Sequence, residues 1–334
     1  MAADLNAGYR LGIVNPLTLV GNEVKTLLHD RGIPYQKITL LSSLEDEKGA
    51  LTELDDEPAV VQPISNDELD GLDLVFFCGP GDANLPWIEL AEQLGFIAVD
   101  LSQPSSMAAG HYAVSGVNDE EIAGRTGVLI SPGPIATPLS IFLGQLLKSV
   151  AIELCVATVI QPASESGQGG VEELMQQTIS VFNMTAVPQA VFDRQLAFNL
   201  YPEQGMDEEI AGISKRIREV IGDFPLAISV LQGTLFHGHS FSLFLQMRAG
   251  TKPEDLAAAL RGHPAIEVNE DAEGVSTVDA AGRDQILVST IRADASLPGS
   301  FWVWMVSDNL RRGSALNAVL AAETVLARIK PILQ

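Results

Sequence analysis

Apolar residues in this chain fall into short unbroken runs, separated by segments in which they recur every three or four positions. The runs suit strands buried on both faces and the three-to-four spacing suits helices laid across them, so the first part of the chain has the pattern of a parallel sheet crossed by helices. YRLGIVN is the first strand. Val20, Val24, Leu27 and Leu28 then share one helical face, Gly32 stands just past it, and YQKITLLSS supplies the next strand, a unit expected to be right-handed. LDLVFFCG and FIAVDLS repeat the theme around PWIELAEQLG, read as a short helix with Pro86 in its first turn and Gly95 at its C-cap. A Rossmann-like domain is expected over residues 1–130.

Beyond it the pattern changes. TPLSIFLGQLLKSV is expected to be a helix capped by Thr137 with a first-turn proline, followed by the strand ELCVATVIQ and a helix around VEELMQQTISVF. Irregular residues run to about 205, a helix is expected over Asp207–Ile221, and LAISVLQG, SFSLFLQMR, QILVSTIR and SFWVWMVS are strand candidates, with a further helix at PEDLAAALRG. That spacing predicts a mostly antiparallel sheet with helices on one side, an α+β domain over 131–310. RGSALNAVLAAETVLARI carries the apolar stripe of a long final helix that must bury one face. The expected fold class is thus α/β, an N-terminal Rossmann-like parallel sheet plus a C-terminal α+β domain.

Composition sharpens this picture by exclusion. The chain has 334 residues, 46% of them apolar, enough for two cores. Its 43 acidic against 20 basic residues give a net charge of −23, which repels phosphate backbones and anionic membrane surfaces, so no nucleic acid or membrane partner is expected. The N-terminus MAADLNAGYRLGIVNP lacks a basic segment followed by an apolar core, and no apolar stretch approaches 18 residues, which points to a cytoplasmic protein. Cys78 and Cys155, the two cysteines, sit in apolar runs as buried reduced thiols. Of the five histidines only His237 and His239 are closely spaced, and two ligands are too few for a metal site.

Three stretches carry a family resemblance. SESGQGGVEEL, FDRQLAFNLYPEQG and DNLRRGSALNAVLAAE resemble, in order, the turn and helix after the active-site glutamine, the IAFN-P segment and the terminal helix of aspartate-semialdehyde dehydrogenases, and the likeness to their Usg-type paralogues is closer still. The resemblance implies an N-terminal NAD(P)-binding domain, a middle domain for catalysis and dimerisation, and a final helix, 311–334, that returns to complete the first domain.

It also implies a chemistry that the residues do not supply. The family's thiolate attacks an aldehyde, hydride passes to NADP, and phosphate releases the acyl group. Where the family writes N-P-N-C-S-T, this chain has Ser131-Pro132-Gly133-Pro134-Ile135-Ala136, so Pro134 holds the cysteine position without a nucleophile. Gln232 stands at the arginine that clamps the substrate carboxylate and cannot offer charge or a guanidinium fork. His239 keeps the place of the acid/base histidine; without a thiol to deprotonate, a purely structural role is favoured over a catalytic one. Gln161 matches the active-site glutamine, although a glutamine there also serves ordinary loop hydrogen bonding.

The cofactor positions are depleted in the same way. The pyrophosphate turn G-A-T-G-x-V-G becomes Asn15-Pro16-Leu17-Thr18-Leu19-Val20-Gly21, in which only Gly21 survives. Leu44 stands where an arginine would read the 2′-phosphate, followed by Glu45, Asp46 and Glu47, and Ser106 replaces a phosphate-contacting arginine. Gly79 and Gly81 flank Pro80 in a loop that resembles one passing the cofactor but is equally a tight turn, and Asn317 lies in the NAV motif of the terminal helix. Gly21, Gly79, Gly81 and Asn317 are what remains to meet NAD or NADP, and no cofactor is expected to be required. The leading expectation is a non-catalytic dimer that binds a small metabolite or a protein, a homodimer or a mixed dimer with a paralogous dehydrogenase subunit. The alternative is an NAD(P)-dependent oxidoreductase acting on an aldehyde in amino-acid biosynthesis, or other chemistry at His239.

Overall fold

The computed structural model describes residues 8–103, 109–203, 205–248, 250–269 and 274–328. The chain forms two compact units, Met1–Gly133 with Ser314–Gln334, and Pro134–Gly313.

The first unit opens with β1 (Tyr9–Val14), α1 (Leu19–Arg31) and β2 (Tyr35–Ser42). Thr18 caps α1 by accepting the Gly21 N–H, and Gly32 ends it in the left-handed region at φ 62, where a side chain would be strained. A hairpin of β3 (Leu51–Leu54) and β4 (Glu57–Val60), then β5 (Gln62–Pro63) and α2 (Asn66–Leu69), lead to β6 (Leu74–Phe77). α3 (Gly81–Ile88), α4 (Ala91–Leu94), β7 (Ile97–Asp100), β8 (His111–Tyr112), α5 (Asp119–Ile122) and β9 (Val128–Ile130) follow. The sheet runs β5-β2-β1-β6-β7-β9-β8, and each of its pairings is parallel. Alternation along the strands sends Leu11, Ile13 and Phe76 to one core, shared with Val24 and Leu28, and Val75 and Phe77 to another, shared with Ile88 and Phe96.

The segment PWIELAEQLG is two short helices rather than one. α3 starts at Gly81, which puts Pro86 inside it instead of in the first turn. A proline there forfeits the bond to the Asp82 carbonyl, and the helix ends two residues later. Gly95 does cap α4 in the left-handed conformation.

The second unit begins with α6 (Ala136–Leu147), β10 (Ile152–Gln161), a 3-10 turn over Ala163–Ser166 and α7 (Gly167–Phe182). It continues with β11 (Leu200–Pro202), α8 (Asp207–Ile221), β12 (Leu226–Gly233), β13 (His239–Met247), α9 (Pro253–Leu260) and β14 (Ile266–Val268). α10 (Thr277–Ala280), β15 (Ile286–Ala293) and β16 (Ser300–Ser307) complete it. The sheet order is β11-β12-β10-β13-β16-β15-β14, parallel at β10–β12 and β14–β15 and antiparallel elsewhere. Thr137 does not cap α6: the backbone of Ile135 is already helical, so Thr137 falls inside the helix with its buried hydroxyl unpartnered.

One face of this sheet carries Ala157, Val159, Phe241, Leu243 and Val303, all buried. The opposite face presents Val156, Phe244 and Trp302, which cross-strand pairing sets side by side and which are only half-buried.

The irregular stretch before β11 is organised by α7. Glu173 accepts the N–H groups of Ala190, Val191 and Phe192 at 2.7, 2.6 and 3.0 Å, while Gln177 accepts those of Leu196 and Ala197 at 2.6 and 3.0 Å. Burial pushes the Glu173 carboxyl up, but the three N–H donors outweigh it and hold it below its ordinary value. Glu173→Ala leaves three donors unmet and is expected to cost about 3 kcal/mol, checked by urea unfolding.

After β16 a π-turn over Arg311–Ala315 leads into α11 (Leu316–Leu326), which belongs to the first unit. Its residues Leu316, Val319, Ala322 and Leu326 lie in the same core as β1 and α1. The α-helix is shorter than the expected 311–334: it starts at Leu316 after the π-turn and ends at Leu326, with Ala327 and Arg328 in a turn, and residues 329–334 lie outside the described residues. No helix among the described residues is long and apolar enough to cross a membrane.

Candidate functional site

Strand register brings three of the expected site residues to one end of the second sheet. Gln161 ends β10 opposite Gln232 of β12, and His239 begins β13, one step beyond the Ser240–Ile160 pair. All three have the parity of the buried face that carries Ala157, Val159 and Phe241. Gln161 Nε2 donates to Gln232 Oε1 at 2.9 Å and Gln232 Nε2 donates to the Gln161 main-chain carbonyl at 3.3 Å, so Gln232 is tied to Gln161 at both ends of its amide. Neither brings charge.

His239 is wholly buried, and neither ring nitrogen has a hydrogen-bond partner. Burial holds the imidazole neutral, its pKa lowered to about 3. Its Nε2 lies 3.9 Å from Glu165 Oε1, too far for a direct bond. Glu165 comes from the 3-10 turn before α7, with 24% of its side chain exposed. Desolvation pushes its carboxyl up to about 7, against the Nδ2–H of Asn309, which donates to it at 2.7 Å. Asn309 is itself fixed, accepting the Gly238 N–H at 2.8 Å and donating to Ser164 Oγ at 3.0 Å. The result is a neutral imidazole beside a carboxyl poised to exchange a proton near neutrality, with no sulfur nucleophile. Pro134 precedes α6, and Gly313 lies so close that a Cβ there would fall 3.0 Å from the Pro134 Cα.

Glu165 and Asn309 were not among the expected site residues. Both lie within motifs that carry the resemblance, SESGQGG and DNLRRG, but nothing in the spacing marks one carboxylate among 43 acidic residues as the one turned toward a histidine.

The cysteines supply no substitute nucleophile. Burial pushes the Cys155 thiol up to about 12 and the Cys78 thiol further. Among the described residues, no group of three or more His, Cys, Asp or Glu side chains could hold a metal ion.

In the first unit, Gly21 packs so tightly that a Cβ would sit 2.4 Å from the Asn15 carbonyl. Gly79 has φ 80 and turns the chain from β6 toward α3, whose first residue is Gly81. Asn317 is fully buried, accepting the Ser115 N–H and donating to the Ala113 carbonyl and Ser131 Oγ, so its amide is spent inside the unit. Ser106 lies outside the described residues. The residues present do not fit a dinucleotide: Asn15 and Thr18, not glycines, form the turn at the end of β1, and both side chains are engaged there.

Two domain families match this chain: the semialdehyde dehydrogenase NAD binding domain over residues 11–125 and the semialdehyde dehydrogenase dimerisation domain over 143–312. The chain belongs to the semialdehyde dehydrogenase family. Within that family it is 30% identical to a USG-1 protein homolog of Pseudomonas aeruginosa, across 95% of this chain and 97% of that one. An aspartate-semialdehyde dehydrogenase of Rickettsia bellii is 25% identical over 95% and 98% of the two chains. The solved structure of a probable aspartate-semialdehyde dehydrogenase from Pseudomonas aeruginosa superposes with a TM-score of 0.89 at 28% identity, covering 95% of this chain and 98% of that one. The parallel first sheet and mixed second sheet are therefore those of the family's NAD-binding and dimerisation domains.

Proposed function

We propose that this semialdehyde dehydrogenase homologue has lost the family's oxidoreductase activity and acts as a non-catalytic binding homodimer. The observation that carries the reading is Pro134, which stands in front of α6 at the position the resemblance assigns to the cysteine. The surroundings agree with it: Gln232 is tied to Gln161 and brings no charge to hold a carboxylate, and neither cysteine can form a thiolate near neutrality. What remains is a polar cluster, the buried His239 with Asn309 and a partly exposed Glu165 whose carboxyl is suited to hydrogen-bonding a small metabolite. The alternative, an NAD(P)-dependent oxidoreductase acting on an aldehyde, draws on the names of the relatives and on the Glu165–His239 pair, which could still move a proton.

The dimer is supported by apolar surface that a lone chain leaves in water. On α7, Met175, Ile179 and Phe182 share one face with 46%, 46% and 73% exposure, and Phe182 meets Phe198, itself 61% exposed, edge to face at 5.5 Å. Clustered exposed aromatics of this kind mark protein contacts. Light scattering on the purified protein is expected to give the mass of a dimer, and Phe182→Glu with Phe198→Glu that of a monomer. A wild-type monomer at tens of micromolar would rule this part out. Co-expression with an active paralogue, followed by intact-mass analysis, separates homodimers from mixed dimers.

A further inference from the structure

We infer that Asn15 has taken over the place of a dinucleotide's pyrophosphate in the first unit, closing its crevice to nucleotides and holding it together without a cofactor. In open parallel sheets a nucleotide sits beyond the carboxyl ends of the strands, where the strand order turns back, against a glycine turn at a helix N-terminus. Here that place is the end of β1, flanked by β2 on one side and β6 on the other. Asn15 lies there in the left-handed region at φ 58, wholly buried.

Its side chain is saturated. Oδ1 accepts Ser42 Oγ–H and the Ser43 N–H, each at 2.9 Å, and Nδ2 donates to the Cys78 carbonyl at 2.9 Å and to Asn84 Oδ1 at 3.1 Å. An amide has two donors and two principal acceptor sites, so no capacity is left for a ligand. Asn84, on α3, donates to the same Cys78 carbonyl at 2.7 Å and accepts from Ser43 Oγ at 3.0 Å. One asparagine thereby ties the ends of β2 and β6 to that of β1 and to α3. Thr18 fills the rim: its hydroxyl takes the Gly21 N–H, and its methyl lies 3.1 Å from where a Cβ on Gly79 would be. Charge points the same way. Glu47 turns inward with its Oε2 2.9 Å from Ser42 Oγ, sharing that one hydroxyl with Asn15 Oδ1, and so sets a buried carboxyl beside the end of β2, where it disfavours a phosphate.

The inference rests on hydrogen bonds of the first unit and is independent of Pro134, and its test separates the two. Melting of the full-length protein is expected to move by less than about 1 °C with NAD, NADP, NADH or NADPH at roughly 100 times a typical family affinity, whereas a bound dinucleotide adds several degrees. A saturable rise of that size with any of the four overturns the inference; if it comes without turnover, the non-catalytic reading survives. Asn15→Gly is expected to lower the melting temperature by roughly 4–8 °C, although glycine is the residue best suited to φ 58, so that the loss reports the amide network. An unchanged melt overturns the structural role. Should that variant fail to fold, Ser43→Ala, which removes only the hydroxyl's bonds, is expected to lose roughly 2–4 °C, and no loss there counts against the inference equally.

Discussion

Purified protein is expected to show no NADP- and phosphate-dependent oxidation of aspartate semialdehyde, at least ~10⁴-fold below an active family member, and Pro134→Cys is expected to stay at the same background. Removing the nucleophile from an acyl-transfer site alone costs ~10⁴–10⁶ in rate. Restoring sulfur does not restore a carboxylate clamp, because Gln232 remains bonded to Gln161, nor a glycine turn at the end of β1, where Asn15 fills the space. Turnover by the unmodified protein would place a nucleophile elsewhere; turnover only by the cysteine variant would show that the cofactor and substrate sites are intact and that Pro134 alone silences them.

Glu165→Gln is expected to stabilise the protein at pH 8 by about 2 kcal/mol while changing little at pH 4. The folded-state pKa of Glu165 is raised to about 7, so the folded carboxyl keeps its proton in a range where the unfolded one, ionising near 4.5, has lost it. Stability from this group is therefore full below about 4.5 and is lost as pH rises through 7. A tenfold difference in proton affinity between the folded and unfolded chain is worth about 1.4 kcal/mol, and the 24% of the side chain that meets water reduces the total. His239 works in the opposite direction: its folded pKa of about 3 lies below the unfolded value near 6.5, so stability falls as pH drops from 6.5 toward 3. Urea unfolding of both proteins across pH 4 to 8 checks the pattern. A desolvated carboxyl beside an unsatisfied imidazole weakens the fold, a cost that the proposed binding role would account for.

Most of the architecture is legible in the sequence because it rests on periodicity. β1, α1, β2 and β6 follow from apolar runs and spacing, and α8 spans Asp207–Ile221 as its pattern demands. The errors concern helix starts. Pro86 and Thr137 are good N-terminal residues by type, yet the chain preceding each was already helical, and where a helix begins depends on tertiary packing that the local pattern does not contain. Of the site, Gln161, Gln232 and His239 come together because strand register fixes them, whereas Glu165 and Asn309 join through turns. Lost glycines in the turn after β1 could be read directly; that Asn15 joins three strand ends could not, because its partners stand 27, 28, 63 and 69 residues away.

The first unit is built from both ends of the chain, with Pro134–Gly313 inserted between them. During synthesis the inserted unit is therefore complete while its host still lacks α11, whose Leu316, Val319 and Ala322 fill the core beside β1. The N-terminal sheet must wait, one apolar face covered only in part by α1, through some 180 residues of translation, which at ~5–20 residues per second is on the order of ten seconds or more of exposure to chaperones and to misassembly.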